Sequence, residues 1–535
     1  MAARPILSIP PFPGARLPQF AAPDTDRADD TNEPDALLDA LARHRVGGCY
    51  WGSQPVLPEA GYVLDGTAKP QAGALAWRHG DDPWHLLEQA SRVRLPRGDA
   101  RAVLAFAAGR PLVFEAGDGS EQEASDAEAA RGVARHLSGW RWTSPFDGRR
   151  ITPREAIELC SHWRQLIDAN RAIQSVMGIA YWKKPTVSPL LWAGGPVPYN
   201  RRLDKITRGM TVAVWRSRLS AAQRREIVAT DPAVAEIEDG FIRSAGLGAD
   251  CVPPLSIIVD RRGVHFDPSA PSEIEQLLQE GEFSADIRAR ARVLRDAIVG
   301  SGLSKYEKNA GAVLERPGGT RCHILVPGQV EDDRAVTSGG ALPSNLELLR
   351  RARAEAGAAA HIIYKPHPDV LAGHRRGQVA SSELEGLADQ VETAAPISAL
   401  IAMVDELHVN SSLAGFEALL RGKAVTVHGV PFYAGWGLTT DRGPIPARRT
   451  ARRTLDELVA AALLLYPRYL DPVTGLPCPA EVLAERLAAG PPALAAAART
   501  VVAVRRTAGR ISRVLGVISR RMESSGGSEV TENKR

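Results

Sequence analysis

Three short clusters of this sequence carry residue types that could do acid–base chemistry or hold a phosphate at the end of a strand. The first is Glu331-Asp332-Asp333, two residues after Gln329, at the end of the apolar run Ile324-Leu325-Val326 that stops at Pro327-Gly328. An apolar run closed by Pro-Gly reads as a buried strand, and open α/β sheets bind ligands in the crevice beyond such a strand end. Carboxylates placed there can act as nucleophile or as general acid and base; the plain alternative is an acidic loop that caps the next helix. The second cluster, Glu238-Asp239-Gly240-Phe241-Ile242-Arg243, follows the run Val234 to Ile237. Gly240 permits tight turning and Arg243 stands within reach of an anion, although a turn with a structural ion pair has the same composition. The third is basic and hydroxyl-rich. Lys365-Pro366-His367-Pro368 holds an imidazole between two prolines with Arg375 and Arg376 nearby, and Asn410-Ser411-Ser412 precedes a helical stretch containing Gly415 and Glu417. Fixed positive charge and the N–H groups of a helix start suit a phosphate; ordinary capping by Ser411 is the competing reading.

These residues need strands that end together. Val212-Ala-Val-Trp215, Val234 to Ile237, His361 to Tyr364, Leu407 to Val409 and Ala424 to Val427 are short apolar runs separated by helical spacing, which predicts two Rossmann-like halves facing a cleft. Glu155 to Met177 has apolar residues at helical spacing, and Tyr181-Trp-Lys-Lys-Pro185 reads as a break into a basic loop. Pro254 to Asp267 is expected to form a β-hairpin around Arg262-Gly263, and Ser272 to Leu294 a helix with Ser272 at its start. Pro431 to Leu438, an aromatic loop, is expected to line the same crevice.

Composition narrows the classes. The 535 residues are 44% hydrophobic and 24% charged, ordinary globular values, with a net charge of +4 that gives no reason to expect nucleic acid. No apolar run reaches the ~18 residues of a membrane span. Met1 to Pro13 has prolines through its apolar part and lacks a signal-peptide core, so a cytoplasmic protein is expected. The five cysteines lie far apart, without metal-ligand spacing, and are expected to be free thiols.

Two pieces of the first third echo the end of the chain. His85 to Val113 repeats the helix, strand, helix, strand order of Ser398 to Thr426, and Ser144-Pro-Phe-Asp-Gly148 with Thr152-Pro-Arg-Glu155 matches Asp471-Pro-Val-Thr-Gly475 with Cys478-Pro-Ala-Glu481. Where the late copy has Ser411, Ser412, Gly415 and Glu417, the early one has Gly98, Asp99, Ala102 and Leu104.

The combination Glu-Asp-Gly-Phe-Ile-Arg-Ser (238 to 244), Val-Pro-Gly-Gln-Val-Glu-Asp-Asp (326 to 333), Tyr-Lys-Pro-His-Pro-Asp-Val (364 to 370), Asn-Ser-Ser-Leu-Ala-Gly-Phe-Glu-Ala-Leu-Leu-Arg-Gly (410 to 422) and Pro-Phe-Tyr-Ala-Gly-Trp-Gly-Leu (431 to 438) resembles the capsule polysaccharide biosynthesis and export family of retaining β-Kdo transferases. The resemblance covers about residues 150 to 490. It implies an α/β glycosyltransferase of GT-B type with CMP-Kdo as donor, a lipid-linked or Kdo-terminated acceptor, no cofactor and no metal. It puts the nucleophile at Asp333, with Asp332 as the alternative, and the acid/base at Glu238. Gln329, Lys365, His367, Ser411, Ser412, Gly415 and Glu417 fall on the donor side, and Arg243 on the Kdo carboxylate. Two-module members carry two active modules; this chain resembles the second module behind a fragment of the first. Residues 1-135 are then a degenerate structural repeat, 136-320 the acceptor half, 321-490 the donor half, and 491-535 a basic amphipathic helix with a disordered tail. That helix is expected to dock on the inner membrane, and other capsule assembly proteins are candidate partners. Competing readings are a non-catalytic capsule assembly or export scaffold and a GT-B enzyme using another nucleotide sugar.

Overall fold

The computed structural model describes residues 4–24, 34–56, 62–65, 74–115, 120–199, 206–243, 252–303, 314–317, 319–373 and 375–490. The segment 491–535, including the expected amphipathic helix, lies outside the described residues. The chain is mixed α/β and divides into two compact units: Met1–Gln174 with Val187–Tyr199 and Leu470–Cys478, and Ser175–Thr186 with Asn200–Tyr469 and Pro479–Arg535. The first unit therefore runs past residue 135. Its core explains why: the 19-residue helix Pro153–Arg171, opened by a Thr152–Glu155 capping box, buries Ile157, Cys160, Trp163 and Ile167 at helical spacing in the same cluster as Leu86, Val103 and Trp142.

The larger sheet of the first unit contains β1 (Tyr62–Asp65), β2 (Ala74–Trp77), β3 (Arg92–Pro96), β4 (Leu112–Glu115) and β5 (Glu121–Glu123), in the order β2-β1-β3-β4-β5. All neighbours are parallel except β4 and β5.

In the second unit, β6 (Ile173–Met177), β7 (Thr211–Val214), β8 (Ala233–Asp239) and β9 (Ser256–Asp260) lie side by side in chain order, with Arg468–Leu470 beyond β9. β7 and β8 are parallel, whereas β9 runs antiparallel to β8. The hairpin expected around Arg262-Gly263 does not form. Asp260 accepts the N–H groups of Arg262, Gly263 and Glu273 and the Tyr466 hydroxyl, which turns the chain into a helix instead of a return strand. The helix expected from Ser272 to Leu294 is two, Glu273–Glu280 and Ala285–Gly300; Ser272 caps the first, as its position indicated, and Ser284 the second.

A second, fully parallel sheet follows: β10 (His323–Pro327), β11 (His361–Lys365), β12 (Gln390–Val391), β13 (Glu406–Val409), β14 (Ala424–Val427) and β15 (Thr440–Asp441), in the order β12-β11-β10-β13-β14-β15. The chain winds outward from β10 in one direction, then returns to β10's other side at β13. That reversal opens a crevice between the carboxyl ends of β10 and β13. Gln329 and Ser411 stand there.

The two echoing turns agree bond for bond. Gly148 N–H donates to Ser144 O and Ser144 N–H to Arg149 O; Gly475 N–H donates to Asp471 O and Asp471 N–H to Leu476 O, all at 2.8–3.0 Å. Each turn follows a wide π-type helical turn, Ala134–Ser138 and Ala460–Leu465.

Candidate active site

The carboxylates come from β8. Period-two alternation points Glu236 and Glu238 to one face of that strand and Asp239 to the other. Arg334, from the other half of the same unit, donates through Nη1 to Glu236 Oε1 at 2.6 Å and to Glu238 Oε1 at 3.3 Å, and Arg216 holds the second Glu236 oxygen at 2.9 Å. Burial pushes the Glu238 carboxyl well above the usual carboxylate range. The charges of Asp239 and Glu236 push the same way, against Arg334 and Lys183. Glu238 is thus the carboxyl in this group with a disposition to hold a proton near neutrality.

Asp239 sits between two cations, with Lys183 Nζ at 3.3 Å and Arg243 Nε at 2.8 Å. Arg243 is 1% exposed and also donates to Val252 O, so it braces Asp239 from inside. This is the structural ion pair weighed from the sequence, and it gives Arg243 a supporting position instead of an open one beside a ligand. Lys183 is a residue the sequence reading missed. Tyr181-Trp-Lys-Lys read as a loop, but the segment is a short 3-10 turn running into the helix Lys184–Leu190, which places Lys183 under the strand end. Its ammonium lies 3.2 Å from the Trp215 ring centroid, and burial first, opposed by Asp239, lowers its pKa. Gly240 is required for a reason other than turning: a Cβ there would come 2.2 Å from Ser256 Oγ.

On the opposite wall Gln329 bridges the crevice. Its Oε1 accepts the Ser411 N–H at 3.0 Å, its Nε2 donates to Ser411 Oγ at 3.3 Å, and its own N–H donates to Asn345 Oδ1 at 2.8 Å. The Ser411 hydroxyl donates to Ala335 O, so Ser411 does not cap the helix that follows; the cap is Ser412, whose hydroxyl accepts from Ala414 N–H. Ser412 opens the helix Leu413–Leu420, whose positive end faces the strand ends. Asp333 caps the helix Arg334–Gly339, accepting from Ala335 N–H at 3.0 Å, with Arg375 Nη2 at 4.0 Å; Asp332 pairs with the same guanidinium at 3.2 Å. Both carboxylates are about half exposed, at 47% for Asp332 and 52% for Asp333. His367 caps its own helix through Nδ1 to Asp369 N–H, and burial pulls its pKa down, against Asp369 and Asp333. It is therefore a neutral imidazole beside Asp333, fixed as its two prolines suggested. Lys365 ends β11, and its carbonyl accepts the Gly328 N–H at 2.8 Å.

Two expectations change. Gly415 makes room for a side chain, since a Cβ would lie 2.3 Å from Tyr433 Oη, which donates to Ser412 O. The aromatic loop does not line the crevice. Phe432, Tyr433 and Trp436 are buried, Phe432 stacks on Phe241 at 4.5 Å, and the loop is a pillar beneath the Ser412 turn. Glu417 lies lower on the helix, in a small apolar pocket with Phe241, Ile242, Leu303, Leu413 and Phe416. The structure brings Gln329 to Ser411 and Asp333 near His367; Arg334 meets Glu236 and Glu238, and Lys183 meets Asp239, only in three dimensions.

No helix among the described residues is long and apolar enough to cross a membrane. The described cysteines 49, 160, 322 and 478 are free.

Comparison with known proteins gives a consistent result. A family model described as capsule polysaccharide biosynthesis protein matches residues 210–310 and 315–469. The capsule polysaccharide modification protein LipA of Neisseria meningitidis is 36% identical over 363 residues, 66% of this chain and 51% of LipA. The lipopolysaccharide-processing protein LpsZ of Rhizobium meliloti is 46% identical over 237 residues, 44% of this chain and 53% of LpsZ. A solved structure titled Thermosulfurimonas dismutans KpsC, beta Kdo 2,4 transferase, aligns with a TM-score of 0.51 at 29% identity, covering 59% of this chain and 98% of that one. The chain spans about half the length of the curated relatives it matches.

Proposed function

The chain belongs to the capsule polysaccharide biosynthesis family, and from that premise we propose that it is a retaining β-Kdo transferase using CMP-Kdo. The donor half is the sheet β10 to β15, the acceptor half is the sheet that carries β8, and together they form a GT-B-type module. One observation carries the reading: Glu238, raised in pKa by burial, shares Arg334 with the loop that bears Asp333.

The roles follow from charge and exposure. Asp333, half exposed and adjacent to Arg334, attacks the anomeric carbon of Kdo as the bond from that carbon to the CMP phosphate oxygen breaks. CMP departs with the bonding pair. Its phosphate charge is met by Lys365, by the positive end of the Ser412 helix and by neutral His367 as a hydrogen-bond donor, a task that fixed dipoles perform without a metal. In the second step the ionised fraction of Glu238 takes the proton of the acceptor hydroxyl as that oxygen displaces the Asp333 carboxylate, so two inversions give net retention. A carboxyl with a raised pKa is the better proton acceptor of the pair. Asp332, tied to Arg375, is the alternative nucleophile.

The same reading makes residues 1-135 a degenerate partial copy of the module, and it puts the enzyme at the inner membrane surface, where a lipid-linked acceptor resides. Incubating the full chain with CMP-Kdo and a Kdo-terminated glycolipid tests the proposal. CMP release with a β-linked product supports it. Turnover with UDP-sugars but not CMP-Kdo would shift the donor class, and no turnover with any nucleotide sugar would leave a scaffold.

A further inference from the structure

Phe266 lies on the segment that leaves β9, yet it reaches across to the helix that begins after Asp333. The Arg334 guanidinium carbon stands 5.1 Å from the centroid of its ring, inside the range of a cation–π attraction. At the other end of the helix Arg334–Gly339, a Cβ on Gly339 would come 2.5 Å from the Phe266 carbonyl oxygen, so the helix settles this close only because that residue is glycine. Both ends of one six-residue helix therefore rest on a single residue, the first on its ring and the last on its backbone. The segment that carries Phe266 is itself firmly placed. Asp267 N–H closes a turn on Val264 O at 3.0 Å, Val264 is buried, and Arg448 donates to Pro268 O at 2.6 Å.

What rests on this seat bears on both carboxylates of the crevice. Asp333 caps the same helix, and Arg334 sends one nitrogen, Nη1, to Glu236 at 2.6 Å and to Glu238 at 3.3 Å. A guanidinium on a long stem can satisfy Glu236 alone, which Arg216 already holds from the other side; reaching Glu238 as well requires that its plane be fixed. The face of a ring supplies that restraint without a competing hydrogen bond. Two cations oppose the proton on Glu238, Lys183 and Arg334, while Glu236 and Asp239 on its own strand favour it. Arg243 is bonded to Asp239, and the residue paired with Glu238 on β9 is apolar Ile258. The Lys183 side chain is 8% exposed and is locked by burial, whereas that of Arg334 is 31% exposed and needs something to lie against.

We propose that Phe266 is a positioning residue for the transfer reaction: its ring holds Arg334 where one nitrogen spans Glu236 and Glu238, and its carbonyl seats the end of the helix that Asp333 caps. This role rests on those proposed above for Glu238 and Asp333. Phe266 acts through Arg334 and its helix, and it sets the acid/base on one wall in register with the nucleophile on the other.

The test uses the full chain with CMP-Kdo and a Kdo-terminated glycolipid. Phe266→Leu keeps an apolar side chain but loses the ring face, and should lower kcat about tenfold, the scale of one partly desolvated cation–π contact. It should also move the rising limb of the kcat profile to higher pH, because a loosened Arg334 opposes the proton on Glu238 less well. Phe266→Tyr, which keeps the ring, should restore both. In an Arg334→Gln background Phe266→Leu should move the limb no further. The shift should persist in His265→Asn, which removes the imidazole packed edge-on to Phe266 at 5.1 Å. A fall in kcat or Tm with the limb unmoved, or an equal further shift in the absence of Arg334, overturns the proposal and leaves the ring a packing residue. A measurement without substrate separates that failure from failure of the transfer reading. The Tm gained on Glu238→Gln should go on growing to a higher pH in Phe266→Leu than with Phe266 in place. A chain that shows this difference but turns over no CMP-Kdo loses the transfer reading and keeps the seat for Arg334; absence of the difference overturns the seat itself.

Discussion

The crevice beyond β1 and β3 and the crevice beyond β10 and β13 rest on the same parallel frame, yet different things stand in them. In the late sheet the strand ends carry Gln329, Ser411 and Ser412, and the helix that follows presents its positive end. In the early sheet the corresponding turn is Arg97-Gly98-Asp99. Asp99 still caps its helix, accepting Arg101 N–H at 2.8 Å as Ser412 accepts Ala414 N–H at 3.2 Å. The space beyond is taken by Arg101, whose guanidinium pairs with Asp99 at 2.6 Å, donates to Trp77 O at 2.9 Å and lies over the Trp77 ring. A cation neutralised by its own neighbours has nothing left for a phosphate. The position of Glu417 is filled by Leu104, which is fully buried. On the proposed reading of the early sheet as a degenerate copy, the frame outlasts the chemistry because strand order depends on apolar packing, whereas a site depends on a few side chains that packing does not need.

That contrast sets the predictions, beginning with the largest. Asp333→Ala should reduce transfer on the order of 10³-fold or more, because it removes the nucleophile of the proposed mechanism, while lost capping lowers stability by only about 1 kcal/mol. Steady-state CMP release and thermal melts check both parts, and Asp332→Ala should retain activity.

Arg334→Ala should slow transfer by about 10²-fold, the scale for losing one preorganised electrostatic partner, whereas Arg101→Ala should leave the rate within about twofold. Comparable losses in the two variants would erase the distinction drawn between the crevices.

Glu238→Gln removes the proposed proton acceptor and should cost about 10²–10⁴-fold in kcat. Wild-type kcat should climb with pH as Glu238 ionises, and that limb should vanish in the variant. The same group makes a stability prediction. A carboxyl whose folded pKa is raised binds more protons folded than unfolded once the unfolded carboxyl has ionised, so stability falls as pH rises from the ordinary glutamate pKa toward the raised one. Glu238→Gln should therefore raise Tm relative to wild type at pH 8 and make little difference at pH 4. A gain at pH 4 with none at pH 8 would mean that Glu238 is not held protonated.

The smallest effect concerns the early helix. Leu104→Glu, which installs the late copy's residue in a fully buried place, should lower Tm without restoring any second activity.

Much of this frame was readable in the residues. Ile324 to Val326, Leu407 to Val409 and Ala424 to Val427 are apolar runs that punctuation by Gly, Pro and Ser converts into strands with defined ends. The two turns, Ser144 to Gly148 and Asp471 to Gly475, share a proline and a glycine at the same places, and they share their backbone hydrogen bonds. What stayed hidden depended on burial between distant segments. Lys183 looked like part of a basic loop because a lysine pair beside a proline is the pattern of one; only the meeting of its segment with Asp239 and Trp215 makes it a buried cation. Arg334 carried no mark in the sequence, as its partners Glu236 and Glu238 are about a hundred positions away. The aromatic loop misled for the opposite reason: Phe432 and Trp436 suit a ligand wall and a core equally well, and tertiary packing chose the core.

The most direct test of the proposed double displacement is to catch its intermediate. Glu238→Gln, incubated with CMP-Kdo in the absence of acceptor, should accumulate a chain heavier by one Kdo residue in intact-protein mass spectrometry, with the added mass mapped by proteolysis to the peptide containing Asp333. An adduct on any other carboxylate, or a wild-type chain that turns over while neither it nor the variant forms an adduct, would contradict the account.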